Sequence, residues 1–156
     1  MKNIPDKTGY YLAGFADGEG SFNVSLRPRP DYKNKWKVSV CFNVSQKDKV
    51  ILTLYKRWLG CGTLRSREDG VWYYEVNNLN SIKECIIPFF EKYKFLSAKK
   101  KRDFSKFKQI VSIIDSDDHL TKEGFRKILA IREDMNDGGK RRYTRKDIEE
   151  SSETIR

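Results

Sequence analysis

Two carboxylates, Asp17 and Glu19, end a segment with small residues along it, which reads Tyr11-Leu12-Ala13-Gly14-Phe15-Ala16-Asp17-Gly18-Glu19-Gly20-Ser21-Phe22. Carboxylate oxygens are the ligands that hard divalent cations such as Mg²⁺ prefer. An acidic pair among glycines also occurs in ordinary turns, so residue types alone leave a metal site and a plain turn both open. The segment occurs once in the chain. A symmetric site built from it therefore requires a second copy of the protein.

A helix that leads into a strand must position these carboxylates. Asp6 or Thr8 is able to cap its start, and Gly18 is expected to end it, because glycine tolerates the left-handed turn that ends many helices. Helical spacing predicts that one face turns toward the core of the chain. That face carries Tyr11, Leu12 and Phe15.

Gly14 and Gly18 lie four residues apart on another side of the predicted helix. Glycines there allow two helix backbones to approach closely, because no side chain holds them apart. If two copies of the helix cross at Gly14, Asp17 and Glu19 of both subunits come together. The spacing thus provides a route to a shared cluster of carboxylates.

The stretch Leu12-Ala13-Gly14-Phe15-Ala16-Asp17-Gly18-Glu19-Gly20 resembles the LAGLIDADG motif of homing endonucleases nearly position for position. The resemblance implies that Glu19 binds the metal directly, with Asp17 beside it and the backbone at Gly18 close by. It implies Mg²⁺ as the cofactor, with Mn²⁺ or Ca²⁺ able to occupy the same sites. It also implies a homodimer whose interface includes Tyr10, Ala13, Gly14 and Asp17.

Two further segments are similar to parts of that family's active site. The run from Val40 to Lys49 is similar to a strand end that supplies a glutamine and a basic residue near the scissile phosphate, which here are Gln46 and Lys49. The run from Phe95 to Phe104 is similar to the segment that supplies the active-site lysine. Lys99 is the favoured candidate and Lys100 the next, while a solvated basic helix start remains the alternative.

Charge favours a polyanionic partner, because 32 Lys and Arg against 22 Asp and Glu leave a net charge of +10 over 156 residues. Ribosomal and other RNA-binding proteins share this balance. No apolar run approaches the ~20 residues that span a bilayer, and no membrane partner is expected. Three widely spaced cysteines, Cys41, Cys61 and Cys85, are expected to be reduced core thiols. The single histidine, His119, is expected at the surface.

Alternating polar and apolar residues predict four strands in two hairpins, with residues 28–34 at the first hairpin tip. The outward face is rich in basic and amide side chains, and Glu75 is its only acidic residue. This composition suits base edges and phosphates in a DNA groove, although alternation alone fits an ordinary wet sheet face. The DNA-binding candidates, including those in the first hairpin tip, are Asn23, Ser25, Arg27, Arg29, Lys33, Lys35, Lys37, Ser39, Asn43, Arg65, Arg67, Tyr73, Glu75 and Asn77.

The remaining segments are predicted to be helical. A helix before Gly60 is expected to bury Ile51, Leu54, Tyr55 and Trp58. Ser81 and Glu84 form a plausible capping box for a helix that Pro88 shortens or kinks. Phe104, Phe107, Ile110, Val111 and Ile114 mark a longer helix. Phe125, Ile128, Leu129 and Met135 mark another, which Gly138-Gly139 is expected to end.

This order resembles the family's α+β fold, α-β-β-α-β-β-α, in which a saddle-shaped antiparallel sheet lies over DNA. One endonuclease domain is expected over residues 1–137. Residues 138–156 are expected to form a basic, partly mobile tail without an apolar face, either merely solubilising or contacting phosphates.

The resemblance implies a site-specific double-strand DNA endonuclease for intron homing. It would cut a long, roughly palindromic target as a homodimer and leave short 3′ overhangs. The alternatives are an RNA-binding intron maturase, for which intron RNA is the partner, and a non-catalytic DNA-binding regulator. The expected location is a chloroplast or mitochondrion, with synthesis inside the organelle, and a prokaryotic cytoplasm is the other option.

Overall fold

The computed structural model describes residues 3–138 and 140–153. It has the predicted order of helix, two strands, helix, two strands and further helices. The elements are α1 (Asp6–Glu19), β1 (Gly20–Pro28), β2 (Trp36–Gln46), α2 (Lys49–Leu59), β3 (Thr63–Ser66), β4 (Trp72–Val76), α3 (Leu79–Ser81), a π-helical segment (Ile82–Ile86), α4 (Ile87–Lys92), α5 (Ala98–Asp115), a 3₁₀ turn (Asp118–Leu120), α6 (Lys122–Glu133), a second 3₁₀ segment (Met135–Gly138) and α7 (Arg145–Glu153).

The four strands form one sheet in the order β1-β2-β4-β3. A short loop joins β1 to β2, with the Arg29 amide donating to the Lys35 carbonyl, so these strands run antiparallel. Strand β4 pairs antiparallel with both β2 and β3, which places Glu75 between Asn43 and Thr63. The predicted alternation is confirmed, because Phe22, Val24, Leu26, Val40, Phe42 and Val44 are all buried.

The chain divides into two compact units. The first contains the described residues up to Asn23 and Val40–Lys101. Its core is aromatic: the rings of Phe22 and Phe42 lie 5.1 Å apart, and Phe42 and Phe90 are equally close. Helix α1 is held in this unit by the Tyr55 hydroxyl, which donates to the Leu12 carbonyl at 2.5 Å.

The second unit contains Val24–Ser39 and the described residues from Arg102 onward. Its core joins the first hairpin to α6 and α7 through Leu26, Trp36, Phe125, Leu129 and Ile148. The Trp36 indole donates to the Ser151 hydroxyl at 2.9 Å. The segment expected to lack an apolar face therefore carries one, since Ile148 is fully buried. Gly139 and residues 154–156 of that expected tail lie outside the described residues.

The predicted limits of α1 are wrong in detail. Pro5 occupies the N-cap position without a side-chain cap, so neither Asp6 nor Thr8 caps the helix. Gly18 lies within the helix, which continues to Glu19. Tyr11 is 59% exposed rather than in the core, while Leu12 is fully buried.

Three other helix predictions are corrected. Helix α2 buries Ile51, Leu52, Tyr55 and Leu59, so its apolar face is rotated from the predicted one and Leu54 and Trp58 are only half-buried. The cap before the π-helical segment is Asn78, whose side chain accepts from the Ser81 amide, rather than a Ser81–Glu84 box. Helix α6 ends at Glu133, because Asn136 and Asp137 adopt positive φ angles that no helix continues through.

Candidate active site and nucleic-acid interface

Glu19 is the last residue of α1, and its side chain is exposed. The chain turns into β1 at Gly20, which has extended dihedrals (φ −79°, ψ 156°). A Cβ on Gly20 would lie 2.7 Å from the Ala16 carbonyl oxygen, so only glycine allows this close turn. The turn places Glu19 at the junction of helix and sheet.

Asp17 is held by its own chain. One carboxylate oxygen accepts the Leu96 amide at 2.9 Å and the Ser97 amide at 3.0 Å, and the other accepts the Ser97 hydroxyl. Partial burial raises the pKa of Asp17, but these hydrogen bonds and the nearby Lys100 charge outweigh it and hold the pKa below its ordinary value. Asp17 thus ties the end of α1 to the segment that starts α5.

The same contact brings one of the candidate lysines to the end of α1. The Ser97 hydroxyl also accepts the Lys100 amide at 3.2 Å, which fixes the first turn of α5. The Lys100 ammonium is buried and donates to the carbonyl of Gly20, the residue after Glu19. Lys99 is exposed, in contrast. The geometry therefore favours Lys100 over Lys99 as the lysine of the site.

Gln46 and Lys49 flank the turn from β2 to α2. Gln46 ends β2, and because β1 and β2 run antiparallel, it lies at the end of the sheet where β1 starts at Gly20. Its side-chain oxygen accepts the Lys47 amide at 2.9 Å. The Lys49 ammonium lies 4.2 Å from the ring centre of Trp72, a cation-π contact.

The polar sheet face of the first unit carries charged and aromatic side chains held against one another. The Arg65 guanidinium forms an ion pair with Glu75. The Arg67 guanidinium lies 4.1 Å from the ring centre of Tyr73. Arg67 and Asn77 lie just beyond the ends of β3 and β4 and are exposed, while Asn23 and Asn43 are half-exposed on their strands.

The polar face of the second unit contains Ser25, Arg27, Lys37 and Ser39, all at least partly exposed on β1 and β2. Lys35 lies in the hairpin loop rather than on a strand, with φ 63° and its ammonium 3.0 Å from the Pro30 carbonyl. Arg29 is paired with Asp31 at 2.8 Å, and Lys33 is exposed.

Helix α1 presents an open surface. Tyr10 is 62% exposed, and a Cβ placed on Gly14 or Gly18 would meet nothing within 4 Å. Ala13 is 2% exposed within its own chain, so the structure places it in the core rather than on the surface available to a second subunit.

The cysteines and the histidine are neither fully buried nor fully exposed. Cys41, Cys61 and Cys85 are free and half-buried, and burial raises the pKa of the Cys41 thiol to about 11. His119, which was expected at the surface, is instead half-buried in the first 3₁₀ turn. Within the described residues no helix is long and apolar enough to cross a membrane. The same part of the chain holds no group of three or more His, Cys, Asp or Glu side chains arranged for a metal ion.

Residues 12–111 match a family model described as LAGLIDADG endonuclease, which is most of the chain. The chain belongs to the LAGLIDADG endonuclease family. A curated relative, the probable intron-encoded endonuclease 2 of Neurospora crassa, is 35% identical over 132 residues. That alignment covers 82% of this chain and 29% of the relative.

Solved LAGLIDADG structures share the fold. The crystal structure of a homing endonuclease, I-TnaI, has a TM-score of 0.81 and 32% identity, with both chains covered completely. The structure of I-SmaMI bound to an uncleaved DNA target in the presence of calcium ions has a TM-score of 0.80 and 30% identity. It covers 85% of this chain, which spans 46% of that one. The predicted α+β fold is thereby confirmed.

Sequence reasoning missed two residues that organise the candidate LAGLIDADG site. The Ser97 hydroxyl donates to the Asp17 carboxylate and accepts from the Lys100 amide in the first turn of α5. A serine just before a helical run is a recognisable capping signal. The Trp72 ring forms the cation-π contact with the Lys49 ammonium, and Trp72 pairs with Gln46 between β4 and β2. The alternation of β4 placed Trp72 on the inner face, but no local signal linked it to Lys49.

Proposed function

We propose that the chain is a site-specific double-strand DNA endonuclease that acts as a homodimer with Mg²⁺. Its target would be long and roughly palindromic, and the cut would leave short 3′ overhangs. The observation that carries the proposal is that Glu19 is exposed at the end of α1 and that the carbonyl of the next residue, Gly20, accepts from the Lys100 ammonium. A carboxylate and a buried cation at one turn suit phosphodiester hydrolysis, which needs a metal site and positive charge near the phosphate.

Double-stranded DNA is the proposed substrate. Charge supports this choice, because a chain with net charge +10 attracts a polyanion. The polar sheet faces described above add the groups that read base edges: guanidinium for guanine, amide for adenine and carboxylate for cytosine. Because Arg65 holds Glu75 in an ion pair, both side chains are oriented before any DNA arrives.

The end of α1 fits a hard divalent cation. Glu19 offers an exposed carboxylate, and the final carbonyls of a helix, including that of Gly18, lack partners within the helix. Mg²⁺ takes such oxygen ligands and keeps several waters, and Mn²⁺ or Ca²⁺ has the same preference for oxygen. When bound, the metal lowers the pKa of a water and neutralises charge on the phosphate. Since one chain supplies few ligands here, substrate oxygens and a second copy would complete the site.

Three neighbouring side chains would have separate roles in the site. Lys100 supplies positive charge close to the phosphate, and its ammonium is already oriented by the Gly20 carbonyl. Gln46 keeps its amide N–H groups for a water or a phosphate oxygen, because its carbonyl oxygen is engaged by Lys47. Asp17 acts as a positioning residue, since its carboxylate oxygens already accept three hydrogen bonds from Leu96 and Ser97.

The homodimer is proposed because the motif occurs once and its helix has a free face. Tyr10, Gly14 and Gly18 are exposed along α1, with space for another helix at both glycines. A two-fold axis there would place one Glu19 near each strand of the duplex, which is the arrangement that cuts both strands. Intron homing is proposed from the resemblance and agrees with the intron-encoded name of the Neurospora crassa relative. An organellar location is proposed from the resemblance alone.

A cleavage screen tests the proposal. The protein is incubated with a library of randomised long duplexes, with and without Mg²⁺, and all new DNA ends are sequenced. We expect Mg²⁺-dependent ends with short 3′ overhangs at one near-palindromic sequence. Tight DNA binding without new ends would favour the non-catalytic regulator. Neither cutting nor DNA binding, together with binding to structured intron RNA, would favour the maturase.

A further inference from the structure

A basic cavity lies in the second unit between the end of α6 and the start of α7. Its volume is about 220 Å³. Four cationic side chains line it, Arg132, Lys140, Arg141 and Arg145, against the single carboxylate of Glu133. Positive charge therefore exceeds negative charge at the cavity wall.

Arg132 is the buried member of this set, with 9% of its surface exposed. Its Nε donates to the Val24 carbonyl at 2.9 Å. Within residues 3–138 and 140–153 no group accepts from its two terminal nitrogens. Burial, and then the like charge of Arg141, lowers the pKa of Arg132 to about 10. Unpaired guanidinium donors on a largely buried side chain, with a second cation beside them, form a site where an anion would be stabilised.

The other two arginines are fixed in place by local groups. Arg141 donates to the carbonyls of Arg132 at 2.5 Å and Met135 at 2.9 Å, near the end of α6. Arg145 pairs with Glu133 at 3.5 Å and with Glu149 at 3.0 Å. These contacts hold the cations apart around the cavity before any ligand arrives, which lowers the cost of ordering them on binding.

We propose that this cavity, the α6–α7 basic cavity, binds a phosphate group. Guanidinium forks match the oxygens of phosphate in pairs, which makes arginine the usual residue for this ligand. A cavity of about 220 Å³ holds a phosphate and some of its hydration, because one water needs only about 10–15 Å³ of such space. Thr144 also lines the wall, and its hydroxyl, which accepts the Asp147 amide at 3.2 Å, keeps its O–H to donate to the same oxygens.

The proposed phosphate ligand is not the DNA that would bind the polar face of the sheet. Helix α6 packs Phe125 and Leu129 against Leu26 and Trp36, the buried face of the first hairpin. Ser25, Arg27 and Lys37 alternate with those residues and lie on the opposite face. A duplex on that face would lie across the hairpin from α6, which forms part of the cavity wall. The phosphate would be either free or part of a separate nucleic-acid strand, and the site does not depend on the proposed nuclease activity.

Isothermal titration at constant ionic strength tests the cavity with two probes, inorganic pyrophosphate and a random single-stranded RNA 20-mer. Arg145→Gln removes a cavity cation, and Lys146→Gln is its matched control. Each change removes one positive charge and one i,i+4 ion pair of α7, but Lys146 is 83% exposed and outside the cavity wall. Lys140→Gln removes a second cavity cation from an exposed side chain.

We expect Arg145→Gln and Lys140→Gln each to weaken binding about tenfold, and Lys146→Gln to change it less than about twofold. Binding of pyrophosphate alone identifies a free phosphate compound as the ligand class. Binding of both probes identifies a nucleic-acid strand. If neither probe binds, or if all three variants lose affinity equally, the proposal is wrong. We expect Arg145→Gln to cut DNA at the wild-type rate, so that loss of phosphate binding is distinguishable from failure of the nuclease proposal.

Discussion

A comparison of Lys100→Met with Lys99→Met tests which of the two lysines acts in DNA cleavage, the buried Lys100 or its exposed neighbour Lys99. Both variants lower the net charge from +10 to +9, so general attraction to DNA falls equally. Only Lys100 is buried with its ammonium on the Gly20 carbonyl, next to Glu19. Loss of one positioned donor beside a reacting oxyanion lowers rates by about 10²–10³. We expect that loss for Lys100→Met and less than about threefold for Lys99→Met.

The fold should survive the Lys100 substitution. An unsatisfied Gly20 carbonyl costs about 1–3 kcal/mol, and removal of a desolvated ammonium offsets part of that. We therefore expect the free energy of unfolding to fall by no more than about 2 kcal/mol, measured by urea denaturation. The rate assay is single-turnover cleavage, at saturating protein, of the duplex recovered from the library. An equal or larger rate loss in Lys99→Met would refute the assignment of Lys100.

The remaining predictions concern Asp17, Gly14 and Ile148. Asp17→Ala should lower the free energy of unfolding by about 2 kcal/mol near pH 7, since three hydrogen bonds are lost, and Asp17→Asn should cost less. Because the folded state lowers the pKa of Asp17, its contribution is full above the unfolded value of about 3.9 and is lost as the pH falls through the folded pKa. The gap between wild type and Asp17→Asn should therefore close in acid, and a pH-independent gap would contradict this. Gly14→Leu should abolish the dimer in sedimentation, because the added side chain occupies the open face of α1; a dimer of unchanged affinity would contradict that interface. Ile148→Ala should destabilise the chain by about 2–4 kcal/mol in urea melts, since the side chain is fully buried, whereas Lys146→Ala should stay within about 0.5 kcal/mol.

Much of the fold could be predicted from periodicity. Phe22, Phe42 and Val44 alternate with polar residues, and only a sheet with one buried face satisfies that pattern. Helix ends were less predictable, because they depend on contacts distant in sequence. Gly18 has the residue type that ends helices, but α1 continues to Glu19, and the close approach of Gly20 to Ala16 sets the turn.

Two features of the chain depend on tertiary contacts and could not be predicted from the motif: the choice of the site lysine and the burial of the C-terminal helix. Three consecutive lysines, Lys99 to Lys101, have the same local chemistry, and only the docking of α5 on Asp17 selects Lys100. The sequence from Arg141 to Glu153 is mostly polar, and Ile148 is the main apolar residue that it buries. A single apolar residue gives no periodic signal, although Tyr143 against Trp36, with ring centres 4.9 Å apart, adds to the same core.

The central claim is that Glu19 binds the catalytic metal, and one paired assay tests it most directly. Single-turnover cleavage and equilibrium binding of the selected duplex are measured for wild type, Glu19→Gln and Glu123→Gln, in Mg²⁺. Glu123 is an exposed α6 residue paired with Lys127, so its substitution makes the same chemical change elsewhere. We predict that Glu19→Gln abolishes cleavage with binding equal to or tighter than wild type, while Glu123→Gln cuts normally. Cleavage by Glu19→Gln at the wild-type rate, or parallel loss of cleavage and binding, would contradict the metal-ligand role.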